Sequence, residues 1–418
     1  MNPTSKIWRC EDGAECHQIV KVIKGREGFK PRSLYINLRR FPNPGAPVIV
    51  ISHAVCLSNL AMATMGKYFW RGFPGGSGYD VWMPNMRAHG NGEEMSRVEP
   101  YQDGDYHFDR IVSEDWPIVA NYIIENTGQK INILGYSMGG MTWEQFLAGV
   151  YFDGHFMRQS DDLAIERSEK IGSFIALTVP TDLSSINPKI QKLLNPLLPW
   201  FRKHRVTIPF TTTTSSATKI GQMSYSEWAR RFVLSFVTPV LPKLLPDGVL
   251  EAHNGFRGEF DRLVKQQLSS PHSDFVGDLI SWFEGEYESL DGRVNYASNK
   301  RVMVPTLMIY ATKDQLAPAE HCLNRSKLYS KEAEARKILL RGFSHIDISF
   351  EKALHTYGES VLQFLENPDG LCKVGDLLIL DNPATSTCTK ETTWIFLSFV
   401  CICFLSLYCP PSFQNAVL

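Results

Sequence analysis

The stretch at residues 131–141, INILGYSMGGM, narrows the possible folds more than any other part of the chain. An apolar, β-branched run ends at Tyr136, a serine follows at once, and glycines stand at 135, 139 and 140. That pattern suits a sharp strand–turn–helix, with Gly135 and Gly139 where side chains would clash and Gly140 allowing close packing. The pentapeptide Gly135-Tyr136-Ser137-Met138-Gly139 is weak evidence by itself, because roughly one chain in six of this length holds G-x-S-x-G by accident. The surrounding pattern gives it meaning.

Short β-rich apolar runs alternate with helical stretches on both sides of this segment. Strands are expected at 17–24, 33–38, 47–52 (PVIVIS), 79–83, 131–136, 171–179, 302–310 and 337–340. Helices are expected at 108–126, 138–150, 319–329 and 350–365. Continuous apolar runs of this kind belong to strands buried on both faces, so the expectation is an α/β fold with a mostly parallel central sheet and helices on both faces. From about 182 to 300 the alternation stops, and the pieces 186–201, 225–241, 259–268 and 274–287 read as helical. The expected organisation is a core at 1–182, a helical cap insertion at 183–300, a second core part at 301–368, and a linker at 369–391. An apolar segment at 392–409 follows.

A nucleophilic serine needs a base, an acid to orient that base, and donors for an oxyanion. Ser137 is the candidate nucleophile. The Met138 amide, at a helix N-terminus, is one candidate oxyanion donor. The Val55 amide is the other, in the loop His53-Ala54-Val55-Cys56 directly after PVIVIS. Asp314, in ATKDQLAP after the run VPTLMIY, is the candidate acid; Asp274, Asp347 and Glu320 follow no core strand so directly. His345, in LLRGFSHIDIS, is the candidate base, whereas His321 and His355 fall in expected helices. His53, Ala54 and Tyr136 are candidates for the substrate pocket, with His53 read as shaping the loop rather than as catalytic.

The order Ser137, Asp314, His345 and the strand–turn–helix around Ser137 resemble the α/β-hydrolase superfamily. Within it, GYDVWMPNMRAHGNG, FDRIVSEDWPIVANYIIENTG, KDQLAP and SHIDI are similar to segments of the acid-lipase-like group and its bacterial esterase relatives. The likeness covers about residues 30–182 and 300–366. It implies an α/β-hydrolase fold with a cap, and a serine esterase or lipase acting on lipid or other lipophilic acyl esters through an acyl-enzyme on Ser137. One departure is His53-Ala54, where relatives usually carry His-Gly. Another is that acid lipases are secreted or lumenal, whereas the N-terminus here has no apolar run and is not expected to be a secretory signal. Thioester hydrolysis or acyl transfer is an alternative, although relatives that polymerise hydroxyacyl thioesters use cysteine. Epoxide and haloalkane hydrolysis would need a carboxylate at position 137. A non-catalytic, membrane-tethered binding protein of the same fold is the alternative of a different class.

Lys plus Arg (43) balances Asp plus Glu (44), so no nucleic-acid partner is expected. Nine cysteines suggest reduced thiols in the cytosol. Cys10, Cys16 and His17 lack a second ligand pair, so neither a metal nor a cofactor is expected. The segment TTWIFLSFVCICFLSLYC at 392–409 carries no charge and as a helix would measure roughly 27 Å. The expectation is a C-terminal tail anchor on a cytosol-facing membrane protein, or otherwise a cytoplasmic chain with that helix packed on the core. Oligomeric state leaves no signal in the sequence.

Overall fold

The computed structural model describes residues 4–10, 13–23, 31–55, 57–72, 78–90, 92–102, 105–180, 269, 272–282, 287–297, 301–314, 316–320, 329, 335–371 and 377–381. The first strands are β1 (Thr4–Arg9), β2 (Glu15–Ile23), β3 (Arg32–Phe41), β4 (Val48–Ser52), β5 (Asp80–Pro84) and β6 (Arg97–Glu99). They are followed by β7 (Ile131–Tyr136), β8 (Val150–Phe152), β9 (Met157–Gln159), β10 (Ile171–Leu177), β11 (Thr306–Ala311), β12 (Arg336–Arg341) and β13 (Leu377–Asp381). Helices are α1 (Ala63–Arg71), α2 (Trp116–Thr127), α3 (Met138–Leu147), α4 (Asp161–Lys170), α5 (Ser273–Ser281) and α6 (Glu351–Glu366).

An 11-stranded sheet in the order β1-β2-β3-β5-β4-β7-β10-β11-β12-β13, with β6 attached to β3, forms the centre. From β5 to β13 every neighbouring pair is parallel. The contacts β1–β2, β2–β3 and β3–β5 are antiparallel. This is a mostly parallel sheet flanked by helices, the arrangement of an α/β-hydrolase fold.

Successive side chains of a strand point to opposite faces, and both faces are buried here, which explains why Val48, Ile49, Val50 and Ile51 are all apolar. Val48 and Val50 point into a core with Ile131, Ile133, Trp116, Val119 and Met141, under α2 and α3. Ile49 and Ile51 point the other way, into a core with Met65, Phe69, Tyr357 and Val361, under α1 and α6. Each fully buried branched side chain contributes about 1.5–3 kcal/mol, so a polar residue at any of positions 48–51 would cost one of the two cores. The parallel strands also point their carboxyl ends to one edge, where sites in such sheets form.

Several boundaries differ from expectation. β1 was not legible, because TSKIWR lies on the sheet edge and is mostly exposed, without a buried alternation. β13 falls inside the stretch expected as a linker, and pairs with β12 from Lys337↔Leu377 to Arg341↔Asp381. The helix expected at 108–126 is interrupted by a π-helical turn at Ile111–Asp115. The expected insertion at 183–300 lies outside the described residues except 269, 272–282 and 287–297, and most of the helix expected at 319–329 lies outside them too. The described part packs on the segment before α2. Trp282 meets Phe108 edge-on with centroids 4.9 Å apart, and the Asp278 carboxylate accepts from the Phe108 amide at 3.0 Å.

Two expectations are corrected. Among the described residues no helix is long and apolar enough to cross a membrane. The longest, α6, has 16 residues and buries one face against the sheet, whereas a span needs about 20 apolar residues. The tail anchor, the transmembrane helix, the membrane as partner and the cytosol-facing membrane localisation are therefore withdrawn. The segment 392–409 to which they were assigned lies outside the described residues. The cysteines are not all reduced either: Cys10 and Cys16 form a disulfide, their Cα atoms brought to 6.1 Å by the β1–β2 hairpin. His17 lies on the opposite face of β2 from Cys16 and meets the Tyr122 hydroxyl at 3.0 Å; the third group near the two sulfurs is Glu94.

Candidate active site

Ser137 leaves the carboxyl end of β7 with φ 52° and ψ −120°, and α3 starts at the next residue. A non-glycine residue at positive φ is strained by about 1–3 kcal/mol and persists only where its neighbours enforce it. Here the Ser137 amide donates to the Leu177 carbonyl of β10 at 2.9 Å, and its carbonyl accepts from Met141 at 3.0 Å. The glycines make room for the turn. An added Cβ at Gly135 would stand 2.4 Å from the Gly140 Cα, and one at Gly139 would stand 2.7 Å from the His53 carbonyl oxygen. The first turn of α3 thus rests on the loop after β4, where Val55 lies.

Strand β11 delivers Asp314 and β12 delivers His345. His345 Nε2 is 2.9 Å from Ser137 Oγ, and His345 Nδ1 is 2.7 Å from Asp314 Oδ2. The other oxygen, Asp314 Oδ1, accepts from the Leu316 and Ala317 amides at 2.9 and 2.8 Å. A carboxylate held on both oxygens cannot swing, so the Nδ1–H of a neutral imidazole points at it and Nε2 presents its lone pair to the serine hydroxyl. All three side chains are buried, in a region where hydrogen bonds are stronger than in water. The base loop is held by three further bonds: Lys313 amide to Phe343 carbonyl, Ser344 amide to the Asp347 carboxylate, and Tyr136 hydroxyl to His345 carbonyl.

The other candidates have different surroundings. Asp347 serves the Ser344 amide, Asp274 meets the Tyr101 hydroxyl at 3.1 Å, Glu320 is exposed, and His355 is an exposed residue of α6. His321 lies outside the described residues. His53 is fully buried; Nδ1 faces the Ala54 carbonyl at 2.8 Å and Nε2 accepts from the Met86 amide at 3.2 Å. Burial, then the nearby His89, pushes its pKa well below the ordinary value, so it is neutral and ties the β4 loop to the β5 loop. Ala54 is buried beside it, and Val55 is partly buried against the core. Among the described residues, neither the Val55 nor the Met138 amide donates to a protein acceptor. Tyr136, expected at the pocket, is 1 % exposed and braces the base loop.

Three supports carried no sequence signal. Trp143 Nε1 donates to Ser52 Oγ at 2.6 Å, fixing the end of β4 to α3. Fully buried Arg87 pairs with Asp115 and with Glu114, which secures the loop after β5. His89 follows in that loop with its ring centroid 5.1 Å from that of His53. Each depends on which strand ends adjoin in space, and spacing along the chain does not report that.

No family model matches the chain. Among curated proteins it is similar to human (Homo sapiens) lipase member M, with 31% identity over 102 residues, 22% of this chain and 23% of that protein. It is also similar to gastric triacylglycerol lipase of Rattus norvegicus, with 37% identity over 70 residues, 15% of this chain and 17% of that protein. The matches thus span less than a quarter of these relatives' length. Among solved structures, an esterase from Thermogutta terrifontis has a TM-score of 0.48 at 12% identity, covering 84% of this chain and 96% of that one. A monoacylglycerol lipase from Paleococcus ferrophilus has a TM-score of 0.47 at 14% identity, covering 79% and 98%. The chain resembles the α/β-hydrolase superfamily of esterases and lipases.

Proposed function

We propose that the chain is a serine hydrolase that cleaves carboxylic esters, chiefly of lipophilic acyl groups, through an acyl-enzyme on Ser137. The reading rests on one observation: the hydrogen-bonded series Ser137 Oγ, His345 Nε2, His345 Nδ1, Asp314 Oδ2 at a strained strand–helix turn. Ser137 Oγ bonds the acyl carbon while His345 Nε2 takes its proton and the carbonyl electrons move onto oxygen. The Val55 and Met138 amides hold that oxyanion. As the intermediate collapses, the alkoxide leaves with the proton from Nε2. Water then gives its proton to Nε2, attacks the acyl-enzyme, and Ser137 recovers its proton as the acid leaves. Asp314 keeps the imidazole in the required tautomer and offsets its charge.

A hydroxyl nucleophile favours esters over the epoxides and haloalkanes that carboxylate nucleophiles open. A lipophilic acyl group is supported by the names of the two curated relatives, both lipases, and by apolar stretches such as LLNPLLPWF in the insertion. In this reading the insertion at 183–300 caps the site. A fluorophosphonate probe tests the chemistry, with a Ser137 adduct expected in the folded protein and lost in Ser137→Ala. Absence of that adduct from the wild type would overturn the reading, and ester hydrolysis surviving in His345→Ala would remove His345 as the base.

A further inference from the structure

Among the described residues, the non-glycine positions with positive φ are Ala88 (62°), Ser137 (52°) and Thr178 (44°). They follow the carboxyl ends of β5, β7 and β10, so backbone strain gathers at the sheet edge that carries Ser137. Thr178 is the least expected of them, because a β-branched side chain at positive φ crowds its own backbone.

The register places Thr178 beside Ser137. Leu177 pairs with Tyr136, so the next residue of each strand leaves the sheet at the same level. The Thr178 amide donates to the Ile309 carbonyl of β11 at 2.8 Å, and the Leu177 carbonyl accepts from Ser137. On the following residue, the Val179 side chain lies against Gly140, where an added Cβ would meet it at 2.1 Å. Neighbours on both sides therefore enforce the strained backbone. The side chain is fully buried, yet among the described residues its hydroxyl has no hydrogen-bond partner. A buried unpaired hydroxyl and a strained φ both destabilise the free protein, and a glycine or a valine would relieve one of them. Residues that cost stability in this way collect where a ligand uses them.

We propose that Thr178 is a substrate-specificity residue whose Oγ hydrogen-bonds a hydroxyl group carried next to the scissile ester. A threonine hydroxyl both donates and accepts, and a substrate hydroxyl is the group that can answer both roles. This inference rests on the esterase reading of Ser137 and adds the class of ester: a hydroxylated one, on either the alcohol or the acyl side.

Three esters test it: propyl octanoate, 2-hydroxyethyl octanoate and propyl 2-hydroxyoctanoate. The wild type is expected to favour one hydroxylated ester over the plain one in kcat/KM, and that ester identifies the side. In Thr178→Val the ratio of hydroxylated to plain ester should fall about tenfold, while Thr178→Ser should keep it. Thr178→Val should also melt above the wild type, which a hydroxyl serving the packing would not allow. Thr178→Ala gives the same ratio reading should the valine variant fail to fold. An unchanged ratio in the variants lacking the hydroxyl, or its loss in Thr178→Ser, overturns the assignment and leaves the esterase reading standing. A wild type inactive on all three esters removes both.

Discussion

The hydroxyl of Tyr136 donates to the backbone carbonyl of His345 at 2.8 Å, so the residue before the candidate nucleophile holds the loop of the candidate base. The two rings are 5.6 Å apart. Strands β10 and β11 lie between β7 and β12 in the sheet, and this bond spans that separation. Burial, then the negative charge of Asp314, raises the Tyr136 phenol well above its ordinary value, so it remains a donor throughout the working range.

Tyr136→Phe keeps the ring and removes that bond. The His345 carbonyl is left buried without its donor, which costs about 1–3 kcal/mol, and the imidazole loses one restraint. The expected result is a fall in kcat of about tenfold with little change in KM, read by steady-state kinetics on a short-chain ester. Wild-type kcat in this variant would show that the loop is held by its other bonds alone.

Asp314→Asn should act through the tautomer. The single amide oxygen would be taken by the Leu316 and Ala317 amides, turning the NH2 group toward His345 Nδ1. Nδ1 must then accept and Nε2 must carry the proton, so it cannot take another from Ser137. A loss in kcat on the order of 10³–10⁴ is expected, with the melting temperature little altered. A loss below tenfold would move the orienting role to another carboxylate.

The two glycines Gly135 and Gly172 should respond differently to alanine. At Gly135 the new Cβ meets the backbone of Gly140 at 2.4 and 2.7 Å, and neither chain segment can yield without opening the turn. Gly135→Ala should destabilise by about 3 kcal/mol or more and abolish labelling of Ser137. At Gly172 the nearest atom is the side-chain oxygen of Asn132 at 2.6 Å, the end of a side chain that can move only by giving up its bonds to the Ser173 hydroxyl and the Val48 carbonyl. Gly172→Ala should cost about 1–2 kcal/mol by urea unfolding, less than Gly135→Ala, because only side-chain bonds are given up.

The contact of His107 with Asp278 should make stability fall on the alkaline side. Burial opposes the His107 charge, but Asp278, through its own charge and the 2.8 Å hydrogen bond, raises the pKa to about 9. The folded value lies above the unfolded value of about 6.5, so the contribution is full below pH 6.5 and lost as pH rises through about 9. His89 works in the opposite sense: burial lowers it to about 4, so its share of stability is lost as pH falls from 6.5 towards 4. Melting temperatures across pH 6.5–9 should drop less steeply in His107→Gln than in the wild type. Parallel curves would show that the pair does not titrate in that window.

The sequence by itself determined the local features: apolar runs of strand length, the glycine-framed turn at Ser137, and the order of Asp314 and His345 after late strands. These are legible because a run buried on both faces must be apolar throughout, and because a strand–turn–helix makes its steric demands within a few residues. Only the tertiary structure decided the rest. It brought the Ser137, His345 and Asp314 side chains into one hydrogen-bonded series, and their catalytic roles remain proposed. It made Tyr136 a brace where a pocket residue was expected, since that depends on β7 and the β12 loop ending at one edge. It also decided that Leu377–Asp381 pairs as a strand, that Cys10 meets Cys16, and that Thr178 has a strained backbone. An edge strand needs no buried alternation, a disulfide needs two cysteine side chains turned toward each other, and a positive φ is imposed by neighbours far along the chain.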